Sequence, residues 1–140
     1  MNTTSLQTLA LKFAEALNTK NVDLFDTFIA SDYANHNPAV APGLAGVKAF
    51  FTGWLAAFPD TQVLVEDSLT SGDRVVGRYT YTATHTGTFL GIPATGKQLT
   101  MRSIDIWRVR DGKFIEHWDE LNLLEVFQQL GVIPPLFQSI

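Results

Sequence analysis

An imidazole and a carboxylate alternate with apolar side chains in the segment Ile115-Glu116-His117-Trp118-Asp119-Glu120-Leu121. Successive side chains of a strand point to opposite faces, so Ile115, His117, Asp119 and Leu121 fall on one face. If that face turns inward, an acid and a base meet away from water. Burial and a neighbouring charge both shift proton affinity, and such a pair suits proton transfer. The carboxylate would then serve as a general base toward an acidic C–H. The plainer alternatives are a sheet-edge charge at Asp119 and a structural histidine at His117.

Asp105 is the second candidate acid. It lies in Ser103-Ile104-Asp105-Ile106-Trp107, where Met101, Ser103, Asp105 and Trp107 share a face. Asp111-Gly112 is a tight hairpin signal, so this strand neighbours the one bearing His117 and Asp119. Strict two-residue pairing sets Asp105 opposite Trp118, on the face away from Asp119. A bulge near Arg110 brings the two carboxylates to one face. Both registers are open, and the bulged one is favoured. The plainer role for Asp105 is a structural carboxylate held by backbone amides or an arginine. Arg102 and Arg108 alternate away from it, toward solvent or a subunit contact.

Other polar groups suit a pocket. His36 sits in Asn35-His36-Asn37-Pro38, a polar cluster that interrupts apolar helices and is either a solvated turn or a pocket lining. His85 ends the strand carrying Tyr79 and Tyr81. Tyr81 and His85 are candidates to hydrogen-bond a ligand carbonyl, and a rim histidine is the alternative. Phe50, Trp54, Phe58, Phe89 and Trp118 are candidate cavity walls. The stretch Gly87-Thr88-Phe89-Leu90-Gly91-Ile92-Pro93-Ala94-Thr95-Gly96-Lys97 lacks the spacing and following helix of a phosphate loop. Its Phe89, Leu90 and Ile92 suit a cover over a pocket mouth.

The elements that must position these groups are legible from periodicity. Leu6, Leu9, Ala10, Phe13, Ala14 and Leu17 predict an amphipathic helix from about residue 4 to 19. Asn21 can cap a shorter helix whose apolar set is Val22, Leu24, Phe25, Phe28 and Ile29. Asp32 to Pro38 reads as a loop or a short extended piece. A third helix carries Val47, Phe50, Phe51, Trp54, Leu55 and Phe58, and Pro59-Asp60 ends it. Strands follow at 61–70, 74–86, 99–110 and 113–121, with a turn at Ser71-Gly72-Asp73. Asn122 and Glu125 have capping-box spacing before a last helix with Leu123, Leu124, Phe127 and Leu130 on its apolar side. Gly131 and Pro134-Pro135 stop it. Helices followed by antiparallel strands argue for an α+β fold, one curved sheet wrapped around the N-terminal helices.

The whole chain narrows the function classes. A length of 140 residues suits one domain, residues 1–140. At 46% hydrophobic residues the chain is too apolar for disorder. A net charge of −4 gives no basic footprint for nucleic acid. The absence of cysteine excludes disulfides, thiol catalysis and thiolate metal sites. Three histidines with no i, i+4 pair argue against a histidine-rich metal site, so no metal is expected. No apolar run is long enough to span a membrane, and the start lacks the pattern of a secretion signal. A cytoplasmic protein is the expectation.

Four separated segments resemble the SnoaL-like polyketide (ester) cyclases. They are Asn35-His36-Asn37-Pro38, Gly87 to Lys97, Ile104 to Lys113, and Glu116-His117-Trp118-Asp119, within a likeness over roughly residues 6 to 133. The resemblance implies the cone-shaped α+β fold of nuclear transport factor 2, a cystatin-like α+β barrel in which a curved antiparallel sheet encloses a cavity. It also implies cofactor-independent intramolecular aldol ring closure in aromatic polyketide biosynthesis, with an apolar, polyketide-like small molecule as substrate, and a homodimer or higher homo-oligomer. The family's catalytic aspartate matches Asp119, while His36, His85 and His117 match positions near the pocket. Asp105 matches a carboxylate of epoxide hydrolases of the same fold, which favours the bulge. Those hydrolases pair it with an arginine two residues earlier, where this chain has Ser103. The alternatives are an isomerase or hydrolase in the same cavity, a small-molecule binder without chemistry, and a module that dimerises through the outer sheet face.

Overall fold

Leu6, Leu9, Ala10, Phe13, Ala14 and Leu17 are all buried on one side of α1 (Thr3–Asn18), as their spacing predicts. The computed structural model describes residues 3–135. A 3-10 turn (Val22–Thr27) follows, with the Asn21 side chain accepting a hydrogen bond from the Asp23 N–H. Then come β1 (Ile29–Asn35), α2 (Gly43–Ala57), β2 (Gln62–Ser71), β3 (Arg74–Thr84), β4 (Gln98–Arg110), β5 (Lys113–Leu121) and α3 (Leu123–Gln129).

The five strands form one open sheet in the order β1-β5-β4-β3-β2. The expectation of an antiparallel sheet needs one correction: β1 runs parallel to β5, so the sheet is mixed. Neither edge pairs with the other, so it is not a closed barrel. The stretch from Ile29 to Asn35, expected as a helix end and then a loop or short extended piece, is a full strand. The edge of β5 decides this. Phe114 N–H donates to the Phe28 carbonyl and His36 N–H to the His117 carbonyl, and these long-range bonds outweigh local propensity.

Period-2 burial is strict along β4, where Leu99, Met101, Ser103, Asp105, Trp107 and Val109 all turn inward. The helices cover that inner face. Phe13 is its hub, with ring centroids 5.8 Å from Phe25, 5.7 Å from Phe51, 5.5 Å from Tyr79 and 5.3 Å from Trp107. One side chain thus joins α1, the 3-10 turn, α2, β3 and β4. Burying a Phe contributes roughly 1.5–3 kcal/mol. The Tyr79 hydroxyl adds a polar tie, donating to the Ala10 carbonyl at 2.7 Å. Asn18 locks the end of α1 to β2 by exchanging two hydrogen bonds with the Val63 backbone.

The β4–β5 hairpin turns at Asp111 and Gly112, whose φ values of 52° and 77° are those of a type I′ turn. Val109 pairs with Phe114, but Arg108 pairs with Glu116, so Ile115 is an extra residue in β5. The bulge therefore lies at Ile115, across from the position near Arg110 where it was expected. It moves Ile115 off the inner face and puts Phe114 there, buried beside Trp107 at 4.4 Å. It also sets Asp105 opposite Asp119.

The last helix differs in detail. Val126 and Leu130 are its buried residues, whereas Leu123 and Leu124 are exposed. Asn122 makes no side-chain cap. Its side chain instead accepts from the Arg102 N–H and donates to Glu125, binding α3 to β4.

Gly46 lets α2 start where it does. A Cβ there would fall 1.8 Å from the Ala41 carbonyl oxygen, a backbone atom rather than the end of a flexible side chain, so the chain itself would have to shift. Gly46→Ala should cost about 2–3 kcal/mol and lower Tm by roughly 10 °C. Thermal denaturation followed by circular dichroism measures this, and an unchanged Tm would refute the close approach.

Candidate active site

Three strands assemble the polar end of one cavity. Asp105 on β4 faces Asp119 on β5, and His117 on β5 stands between Trp107 on β4 and Asn35 on β1. Asp105, His117 and Asp119 line the cavity together with Tyr33, Asn35 and Asn37. Its volume is about 80 Å³. The remaining walls are apolar, supplied by Phe13 from α1, Phe50 and Trp54 from α2, and Phe89 and Leu90 from the glycine-rich connection.

The hydrogen bonds fix where protons lie. The Asn35 side-chain oxygen accepts from the Asn37 N–H at 3.0 Å, a group that can only donate. The same oxygen lies 3.0 Å from His117 Nδ1, so Nδ1 carries a proton and donates it. His117 Nε2 lies 2.8 Å from Asp105 Oδ1, and that bond requires one further proton held between the two. Ser103 Oγ donates to the other oxygen of Asp105 at 2.6 Å. Both oxygens of Asp105 are therefore engaged. The His117 ring also stacks on Trp107 at 5.1 Å and on Tyr33 at 5.9 Å.

Asp119 is held differently. Asn37 Nδ2 donates to both of its oxygens, at 3.2 and 3.0 Å. Asn37 cannot turn over, because its own oxygen accepts from the Ala39 N–H at 2.9 Å. His117 Nε2 lies 3.9 Å from Asp119 Oδ2. Asp119 is thus the carboxylate of the pair that meets the cavity with neutral amide support. A cation would find ligand atoms of Asp105, His117 and Asp119 within 4.8 Å of one another. Binding one would break the His117–Asp105 bond.

Residues 7–130 match the family described as SnoaL-like polyketide cyclase. The chain belongs to that family. Among its relatives is the aklanonic acid methyl ester cyclase of Streptomyces sp. strain C5, 33% identical over 132 residues, with 88% of this chain and 80% of that protein covered. The nogalonic acid methyl ester cyclase of Streptomyces nogalater is 29% identical over 120 residues, covering 83% and 90%. The solved structure of TsrD from Streptomyces laurentii superposes with a TM-score of 0.89 at 34% identity, covering 95% of this chain and 99% of that one.

Within this SnoaL-like chain the residues singled out from sequence divide into two groups. Asp105, His117, Asp119, Trp54, Tyr81 and Phe89 line the cavity. His36, His85, Phe58 and Trp118 do not. His36 lies on the outer side of the sheet, stacked on Trp118 at 5.1 Å and bonded to Glu116 at 2.8 Å. Trp118 alternates outward because its neighbours His117 and Asp119 face in, and the Arg74 guanidinium lies 5.6 Å from its ring. Bonds from His36 and Arg108 hold the Glu116 carboxyl below its ordinary value.

His85 is wholly buried at the base of the glycine-rich connection. There its Nδ1 accepts from the Thr95 N–H at 3.2 Å and its ring packs on Phe58 at 5.2 Å. Its Nε2 has no partner among the described residues. Tyr81 reaches the cavity, with its hydroxyl interacting with Ser103. At the far side of the same connection, Phe89 pairs with Ile92 around Leu90-Gly91, so Phe89 and Leu90 reach the cavity while Ile92 does not.

Tyr33 and Ser103 are site residues that pattern reading did not assign, while Asn35 and Asn37 lay in the polar cluster read as either a solvated turn or a pocket lining, and they line the cavity. Ser103 carried a usable signal, sharing a strand face with Asp105. Tyr33 carried one only if residues 29–35 were read as a strand, since it stands two residues before Asn35 on the same face.

Burial raises the Asp119 proton affinity above its ordinary 3.8, against the lowering effect of Asn37 and His117. An acid bound more tightly to its proton when folded weakens the fold as pH rises from the ordinary value through the raised one, and by a constant amount beyond. Asp119→Asn should therefore have a higher Tm than the parent at pH 7, with the difference closing as pH falls toward 3.8. Equal melting of the two proteins at pH 7 would contradict the burial of this charge.

Proposed function

We propose that this chain is a cyclase that closes a ring in a polyketide-derived methyl ester by an intramolecular aldol reaction, using general acid/base catalysis. The observation that carries the reading is Asp119, a desolvated carboxylate with raised proton affinity at the polar end of an apolar cavity. The names of its relatives, which cyclise aklanonic and nogalonic acid methyl esters, support it. Asp119 takes a proton from a carbon flanked by carbonyls and leaves an enolate. The enolate carbon attacks a carbonyl of the same molecule. The resulting alkoxide takes back one proton, so protons balance without a cofactor. Asp105 is a poor candidate for the base, because it already shares a proton with His117 on one oxygen and holds Ser103 on the other, whereas Asp119 accepts only from the single neutral amide of Asn37. His117, clamped by Asn35 and Asp105, supplies positive potential 3.9 Å from Asp119.

The protein is also proposed to work as a homodimer through its outer sheet face. Leu69, Val76, Ile106 and Trp118 are consecutive partners across β2, β3, β4 and β5 and make an apolar row. Leu69 is 59% and Ile106 38% exposed. The neighbouring Arg78, Arg102 and Arg108 already pair with Asp67, Glu125 and Glu116, so a second copy meets little unpaired charge. An exposed apolar patch of this kind marks an interaction site. Sedimentation should give a dimer for the parent and a monomer for Ile106→Asp; a monomeric parent would end this part of the reading.

For the chemistry, purified protein should convert aklanonic acid methyl ester to a ring-closed isomer of unchanged mass with no additive. Asp119→Asn should lower kcat by about 10³-fold. Chromatography with mass detection reads both. Full turnover by a folded Asp119→Asn protein would remove the assignment.

A further inference from the structure

The aldol route creates negative charge on oxygen twice, first on the enolate and then on the alkoxide. Such charge needs a hydrogen-bond donor already in place. Most donors lining the cavity are committed elsewhere. His117 gives one nitrogen to Asn35 and the other to Asp105. The Asn37 amide is spent on Asp119. Trp54 Nε1–H donates to Thr61 at 3.0 Å. Tyr81 interacts with Ser103, which itself donates to Asp105.

Tyr33 is different. Its hydroxyl oxygen accepts from Trp107 Nε1–H at 3.1 Å, and its own hydrogen meets no acceptor among the described residues. The residue is 2% exposed, so this hydrogen is sequestered from bulk water. Resting on Asp119 as the base, we propose that the Tyr33 hydroxyl is a catalytic residue that donates to the oxyanion of the substrate.

Three features suit Tyr33 to that task. Accepting from Trp107 polarises the O–H and strengthens it as a donor. The stacking of the ring on His117 holds it beside the acid/base group. Burial keeps the phenol well above its usual range, so it stays protonated while Asp119 ionises. The Asn35 amide nitrogen, two residues along the same strand, is another cavity donor without a partner among the described residues. Asn35 is only half-buried, whereas Tyr33 is sequestered with the reacting groups.

The test uses 4-nitrophenol, whose visible absorbance reports the anion, and nitrobenzene, which has a similar shape and no hydroxyl. Asp119→Asn copies the neutral charge of the protonated base. It should bind 4-nitrophenolate, and adding Tyr33→Phe should weaken that binding about tenfold while leaving nitrobenzene unaffected. Three results overturn the proposal: no binding of the anion to Asp119→Asn, no loss on adding Tyr33→Phe, or equal loss for both ligands. In turnover, Tyr33→Phe alone should lower kcat by about 10²-fold with little change in KM. Asp119-dependent turnover that survives Tyr33→Phe leaves the cyclase reading intact and ends this one. Selective loss of the anion in a protein that cyclises no ester keeps the oxyanion donor and ends the cyclase reading.

Discussion

Two carboxylates stand directly opposite each other on the buried face of an antiparallel strand pair. Like charges in that position destabilise a sheet, and an apolar cavity makes the repulsion worse. Much of the polar structure around Asp105 and Asp119 answers this constraint. His117 and Ser103 engage Asp105, while Asn37 cradles Asp119. The outcome is asymmetric. One carboxylate is tied into a proton-sharing pair, and the other keeps a raised proton affinity and a face toward the cavity. Environments that separate two chemically identical acids are how one pocket holds distinct acid and base roles.

The asymmetry depends on β1. Tyr33, Asn35 and Asn37 come from this edge strand and the residues just after it. Without its parallel pairing to β5, His117 would lose the acceptor that sets its tautomer, and Asp119 would lose its amide. The two asparagines are in turn oriented by backbone N–H groups of residues 37 and 39. A short run of chain thus fixes both the direction of the imidazole and the support of the Asp119 carboxylate. The aromatic layer joining α1, α2, β3 and β4 around Phe13 supplies the dry surroundings that make these bonds strong.

Much of the fold was legible along the chain. The inward set of α1 and the strict alternation of β4 follow from side-chain period, because a single buried face selects it. The Asp111-Gly112 turn follows from the positive φ that a type I′ hairpin needs. The site was legible in part. Asp119, His117 and Asp105 stand out because acids and imidazoles are rare within otherwise apolar strands. His36 and Trp118 carried the same chemistry but sit on the outer face, since facing is a matter of strand phase and not of residue type. His85 looked like a ligand-facing group, yet the turn of chain back to Thr95 encloses it.

The amino-acid sequence by itself determined which segments alternate, which face of each is apolar and where the tight turns fall, because these depend on neighbours a few residues away. Tertiary structure alone decided that Ile115 bulges, that residues 29–35 join the free edge of β5, and that Asn35 and Asn37 reach His117 and Asp119 some 82 residues away. Those outcomes depend on hydrogen bonds and packing between distant segments, for which local periodicity carries no signal.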